Sequence, residues 1–206
     1  MVILVVIGIV PSFIVKNVVV NSYETRAVSI REVNLKNQCD ILGNQLMKEN
    51  YLREPDSDVI NGELSMLSAI YNGRILIINK DAKIIKDTYD IDVGKYALSE
   101  EVIQCFEGKS TANYDDKNAY IEMTSPITKM DSNTIEGVML VSISTSEIED
   151  SIDMLENRGN LLLSIICILV LVFGYLLAGV LVKPFSRVTK AIEDLTDGYL
   201  DEEISV

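Results

Sequence analysis

The chain has no histidine and no tryptophan, and only three cysteines and four prolines in 206 residues. Each scarcity closes a class of chemistry. Without an imidazole there is no Ser-His-Asp or Cys-His nucleophile, no histidine-rich zinc site and no phosphoaccepting histidine among these residues. No glycine-rich loop with its lysine is present to cradle a nucleotide phosphate. Cys39, Cys105 and Cys167 match neither a disulfide framework nor a metal knuckle. Cys39 and Cys105 could pair, but each lies in an amphipathic pattern where a small buried hydrophobe is the usual role. Positive charge is also short: the formal net charge is -13, and residues 21–160 carry 25 acidic against 14 basic side chains. That balance argues against nucleic acid or anionic lipid as the main partner and favours a cationic or neutral ligand.

Apolar residues, by contrast, come in long runs. Leu161 to Val182 contains no charge and as a helix extends roughly 33 Å, the thickness of a bilayer's hydrocarbon core. Lys183, Arg187 and Lys190 follow at once, whereas Asp150, Asp153 and Glu156 dominate the other flank, so residues 183–206 are expected in the cytoplasm. Met1 to Val20 is a second candidate span, with Gly8, Pro11 and Ser12 tolerated inside it and Lys16 able to snorkel outward. It has neither a basic start nor small cleavage-site residues near Asn17–Asn21, so it reads as an anchor rather than a leader, truncated at its N-terminus. Residues 21–157 then form one extracytoplasmic domain, with the plasma membrane on both sides of it in the sequence.

Within that domain the hydrophobic period changes twice. Val28, Leu35, Cys39, Leu42 and Leu46 recur at helical spacing, with no proline before Pro55, and predict a long helix with one packed stripe. Leu64, Leu67, Ser68 and Tyr71 suggest a second helix closed by Asn72-Gly73. Arg74 to Thr88 reads as a hairpin turning at Asn79–Lys83, and Tyr89–Tyr96 as a loop. A helix from Ser99 to Phe106 is capped by Ser99 and stopped by Gly108. Strands follow at Ser110–Tyr114, Asn118–Ile127 and Glu136–Ser144, and Thr145-Ser146-Glu147 caps a last helix leading into the second span. The expected class is α+β, an antiparallel sheet of about five strands behind a long helix. The pairs Asp56/Asp58, Asp90/Asp92 and Asp115/Asp116 lack the spacing of a calcium loop and read as solvated turns, so no metal ligand is nominated.

After the second span, Leu181, Phe185, Val188, Ile192 and Leu195 alternate spacings of four and three. Such an a/d seam buries itself only against partner helices and implies a parallel homodimer.

The order of long helix, Arg74–Ile85 hairpin, Val93-Gly94-Lys95 loop, Glu100-Glu101-Val102 helix, Gly108 and Ser125-Pro126-Ile127 strand resembles a single Cache domain, a PAS-like extracytoplasmic sensor fold. Its phrasing is similar to sensor histidine kinases of the WalK (VicK) cell-wall type. Pro184, Phe185, Val188, Ile192, Leu195 and Gly198 resemble the first helix of a HAMP linker whose second helix is absent from this sequence. The resemblance implies a pocket over the sheet. Alternation places Tyr120, Glu122 and Thr124 on one strand face and Ile121, Met123 and Ser125 on the other. Tyr89, Tyr114, Tyr120 and Glu122 are therefore nominated as ligand contacts, with Arg74 either a carboxylate ligand or an ion-pair partner on the sheet. The resemblance further implies a kinase domain beyond Val206 that needs ATP and Mg2+, and a cytoplasmic response regulator. A chemoreceptor, a membrane cyclic-dinucleotide enzyme and a non-signalling adhesion or assembly module remain alternatives.

Overall fold

The computed structural model describes residues 2–129, 132, 134–182 and 192. Helix α1 runs Val2–Lys48 with Pro11 inside it. It does not wait for Pro55 to stop. Asn50 takes a left-handed φ of 55°, and the Tyr51 N–H reaches back to the Leu46 carbonyl, the hydrogen-bonding pattern of a Schellman turn. Tyr51 is then fully buried and its hydroxyl donates to Asn61 Oδ1 at 2.6 Å. Helix α2, Asp58–Ile70, begins at Ser57, whose hydroxyl accepts from the Ile60 N–H. It ends where Asn72 turns left-handed with φ 44°.

The hairpin follows as β1, Gly73–Asn79, and β2, Ile84–Asp87. Helix α3 is Glu100–Phe106, and Gly108 ends it with φ 91°. Strands β3 (Ala112–Asp115), β4 (Tyr120–Thr128) and β5 (Ile135–Ser144) complete a five-stranded sheet in the order β2-β1-β5-β4-β3, with every neighbouring pair antiparallel. Helix α4, Ser146–Leu177, follows β5 directly and passes into a π-helical turn at Ala178–Val182.

The sheet carries an apolar cluster on each face, the larger against α1 and α2 and a smaller one against α3, because its central strands alternate one apolar set against another. Ile75, Ile77, Ile121, Met123, Ile127, Met139, Val141 and Ile143 face α1 and α2, where Leu35, Cys39, Leu42, Leu46, Ile60 and Leu64 meet them. Leu76, Ile78, Ile84 and Val138 face the other way, onto Val102 and Cys105 of α3. The expected helical stripe of α1 is thus the stripe that packs. Cys39 and Cys105 lie in the two different clusters, both as free thiols, so the possible pairing between them is not formed. Burial, with Asp40 adding to it, pushes the Cys39 thiol up to about 12. At pH 8 its thiolate fraction falls about a thousandfold below that of an ordinary cysteine. Maleimide labelling of the folded chain is expected to leave Cys39 unmodified until urea unfolds the domain, and labelling at the exposed-thiol rate would contradict the packing.

Several ends depart from the sequence expectation, each for a local reason. Ser99 makes no side-chain cap bond. Thr145 does not cap α4 through its hydroxyl, which is buried and has no partner; the Ser146 N–H is taken by Ser144 Oγ instead. Strand β4 starts at Tyr120 rather than Asn118, because Asp115 accepts the N–H groups of Lys117 and Asn118 and Ala119 turns left-handed.

The chain divides into two compact units, Ser22–Ile152 and a second joining the first 21 residues to the chain from Asp153 onward. In the second unit, Gly8 lies so close to Val170 that an added Cβ would meet its Cγ2 at 2.7 Å, and Lys16 Nζ donates to Asn160 Oδ1 at 2.7 Å. Among the described residues one helix is long and apolar enough to cross a membrane, Ser146–Val180. Of the HAMP-like positions, Pro184, Phe185, Val188, Leu195 and Gly198 lie outside the described residues; Ile192 is helical and exposed.

Candidate functional site

Strand register brings polar residues from four strands into one line. Arg74 of β1 stands opposite Ser142 of β5, Ser142 opposite Glu122 of β4, and Glu122 opposite Asn113 of β3. All four share the face that packs on α3, where they continue the apolar patch as a half-buried to exposed polar shelf. Ser142 Oγ donates to Glu122 Oε2 at 3.2 Å. Tyr120, two residues before Glu122, extends the same face and pairs with Ser144 and Asp115.

At the β1 end of the line, Arg74 holds a loop rather than waiting for a ligand. Its Nε donates to Asp87 Oδ1 at 3.0 Å, and its Nη2 donates to Asp87 Oδ2 at 2.5 Å and Asp92 Oδ2 at 2.6 Å. Asp87 is 0 % exposed and also accepts the N–H groups of Tyr89, Ile91 and Asp92, each at 2.9 Å. Burial by itself would raise the Asp87 pKa. The bonds from Arg74 and the three amides outweigh it and hold the carboxyl well below its ordinary range. Lys95 and then Arg74 lower Asp92 as well. The loop is tied a second time along the free edge of β2, where the Gly94 N–H reaches the Ile84 carbonyl and the Ile84 N–H reaches the Lys95 carbonyl. Gly94 does this with φ 87°, a conformation glycine adopts without strain.

So fastened, the loop presents Tyr89, Ile91, Val93, Tyr96 and Leu98 as exposed side chains, and the Tyr89 ring centroid sits 6.0 Å from the Arg74 guanidinium carbon. The shelf offers the carboxylates of Glu122 and, beside Tyr120, of Asp115, with the hydroxyl of Ser142, the amide of Asn113 and phenols. Two aspartates already neutralise Arg74, so the free charge here is negative, and the chemistry suits a cationic or neutral solute with an apolar part. Among the described residues no group of three or more Cys, Asp or Glu side chains is placed to hold a metal.

Of the nominated ligand contacts, Glu122, Tyr120, Tyr89 and Arg74 come together on or beside this face. Tyr114 does not. It pairs with Ile121 and faces α1, where its hydroxyl donates to Glu24 Oε1 at 3.2 Å. Burial first, and then this bond, push its pKa up to about 12. Ser142, Asn113 and Asp87 had no signal in the sequence, since each joins the site only through register or a loop contact.

No protein-family model matches the chain, and no curated protein does. Similar solved structures include the sensor domain of the V. cholerae histidine kinase DctB, with 14% identity, a TM-score of 0.43, and coverage of 65% of this chain and 59% of that one. The ligand-binding domain of the Campylobacter jejuni chemoreceptor Tlp3 in complex with L-valine is similar at 14% identity and TM-score 0.43, covering 65% and 60%. The sensory domain of Tlp3 with isoleucine bound gives 14% and 0.43, covering 65% and 59%. The chain therefore spans less than two thirds of the length of each of these proteins.

Proposed function

We propose that residues 21–157 are a Cache/PAS-like extracytoplasmic sensor domain. In this reading the chain is the sensing and signal-transmitting part of a bacterial sensor histidine kinase of the WalK-like type, anchored by spans at 1–20 and 161–182 and continued by a HAMP linker from Lys183. The observation that carries this reading is the double role of β5. The central strand supplies Ser142 to the polar shelf and, from Thr145 onward, becomes α4, the helix long and apolar enough to cross a bilayer. A solute engaging Glu122 and Ser142 pulls on the strand whose C-terminal end starts that helix. A small displacement of β5 then becomes a displacement of α4, and the a/d seam from Leu181 to Leu195 converts it into repacking of a cytoplasmic dimer. The first span is supported by the outward-facing apolar side chains Val10, Phe13, Ile14, Val15, Val18 and Val19.

The test is the phase of α4. One residue inserted after Asn157 turns everything downstream by about 100°. Autophosphorylation of the full-length gene product, measured with labelled ATP in membrane vesicles, is expected to change several-fold, and seven inserted residues are expected to restore it. Unchanged phosphorylation in both would refute coupling through α4. A full-length product that takes up no phosphate and carries methylatable helices or a cyclase domain would replace the kinase with a chemoreceptor or a nucleotide enzyme.

A further inference from the structure

The joint between β5 and α4 holds a hydroxyl that nothing uses. Thr145 is 0 % exposed, and its Oγ1 is buried without a hydrogen-bond partner. Its backbone is fully engaged: the N–H donates to the Ala119 carbonyl at 2.8 Å, and the carbonyl accepts the Ile148 N–H at 2.8 Å and the Glu149 N–H at 3.1 Å. The Glu149 bond is the first of α4 between residues four apart, so Thr145 stands at the N-cap, where a threonine hydroxyl ordinarily accepts the N–H of the third helical residue. That residue is Ile148. Its N–H is drawn instead to the Thr145 carbonyl, three residues back, which tightens the first turn towards 3₁₀ geometry. The hydroxyl and the N–H it would cap belong to one turn and are not bonded.

Three contacts hold the turn in this form. Ser144 Oγ accepts the Ser146 N–H at 3.2 Å and donates to Ser146 Oγ at 3.0 Å. Arg31 of α1 pairs with Glu147 at 3.0 Å, and Ile148 is buried in the larger apolar cluster. Against them stands the idle hydroxyl, since a polar group left unpaired in the interior disfavours its state by about tenfold.

We propose that Thr145 is a two-position latch between the sheet and α4. It is idle in the state described, and in a second state it turns about its Cα–Cβ bond to accept the Ile148 N–H, with the first turn relaxed from 3₁₀ to α and Ile148 shifted against the core. The inference rests on the signalling reading above and supplies the step between the polar shelf and the helix. Ser144 lies two residues along β5 from Ser142, on the same face, and stands opposite Tyr120. A solute that draws β5 at Ser142 therefore also draws Ser144 off the Ser146 N–H, which releases the turn to the Thr145 hydroxyl. One bond to the first turn is given up and one is gained, so the two states lie close in free energy, as a switch requires.

Thr145→Val keeps the shape of the side chain and removes the hydroxyl. At an ordinary cap such a loss lowers stability. Here it removes an unpaired group and abolishes the second state, so the urea midpoint of the whole chain in detergent is expected to rise, and deuterium exchange of residues 145–152 to slow. Ser144→Ala frees the Ser146 N–H and is expected to speed that exchange about fivefold. The double variant is expected to lose most of the acceleration, having no hydroxyl with which to reach the second state. A midpoint that falls or stays, exchange moved the same way by both single variants, or full acceleration kept in the double variant would overturn the latch. In a phosphorylating full-length product the two single variants are expected to move basal autophosphorylation in opposite directions, and shifts of the same sign, or none, would overturn it as well. Midpoint and exchange need no kinase, so a product without that activity refutes the kinase reading while these two measurements decide the latch.

Discussion

Asp87→Asn is expected to lower the unfolding free energy of the chain by about 3 kcal/mol, measured by urea denaturation in detergent with circular dichroism at neutral pH. The size follows from what the carboxylate holds. It is fully buried, takes two hydrogen bonds from Arg74 and three from backbone amides, and its removal leaves a guanidinium with only Asp92 to pair with. An asparagine keeps the shape but presents an NH2 group where an acceptor is needed. The pH dependence has a definite sign. Because the folded-state pKa lies below the unfolded value of about 3.9, the unfolded chain binds more protons at acid pH, so stability rises with pH. The contribution is complete above about pH 4 and is lost as pH falls towards the folded value. The wild-type chain should therefore lose stability below pH 4 more steeply than Asp87→Asn. Parallel pH profiles would show that the clasp is not what holds the loop.

Gly73→Val is expected to cost about 3 kcal/mol and to lower the midpoint of thermal unfolding by about 10 °C. A Cβ at this position would lie 2.5 Å from the Ser142 carbonyl oxygen, 2.7 Å from Ile143 Cγ2 and 2.9 Å from Ile143 Cα. Two of those three atoms are backbone and cannot swing aside, so β1 and β5 must separate at the place where Arg74 faces Ser142. The substitution thus strikes the core and the polar shelf together. Gly62→Ala, on α2 with nothing within 4 Å of its added Cβ, is the matched control and is expected to be neutral or to stabilise by up to about 1 kcal/mol. Equal effects at the two positions would mean that the close approach of β1 and β5 is not real.

Most elements were legible because their causes are local. The spacing of Val28, Leu35, Cys39, Leu42 and Leu46 marks a helix and also its buried face, and the Ile-rich flanks of Asn79–Lys83 mark a hairpin that closes within a few residues. Caps were less legible. Ser57 caps α2 unannounced, while Ser99 and Thr145 have the chemistry of caps without making the bond. A hydroxyl caps a helix only if the preceding chain arrives in the right direction, and tertiary contacts decide that direction.

The sequence by itself determined the element order, the α+β class, the length of the apolar run before Val182 and the lack of histidine among these 206 residues, since composition and period are properties of the chain alone. Only the tertiary structure decided which polar residues form one site. Alternation ranks residues within a strand but is silent about register between strands. Register aligns Arg74, Ser142, Glu122 and Asn113, sends Tyr114 to the opposite face, and commits Arg74 to Asp87 and Asp92. Those pairings join residues up to dozens of positions apart, and the packing of both sheet faces, rather than any neighbour in sequence, fixes them.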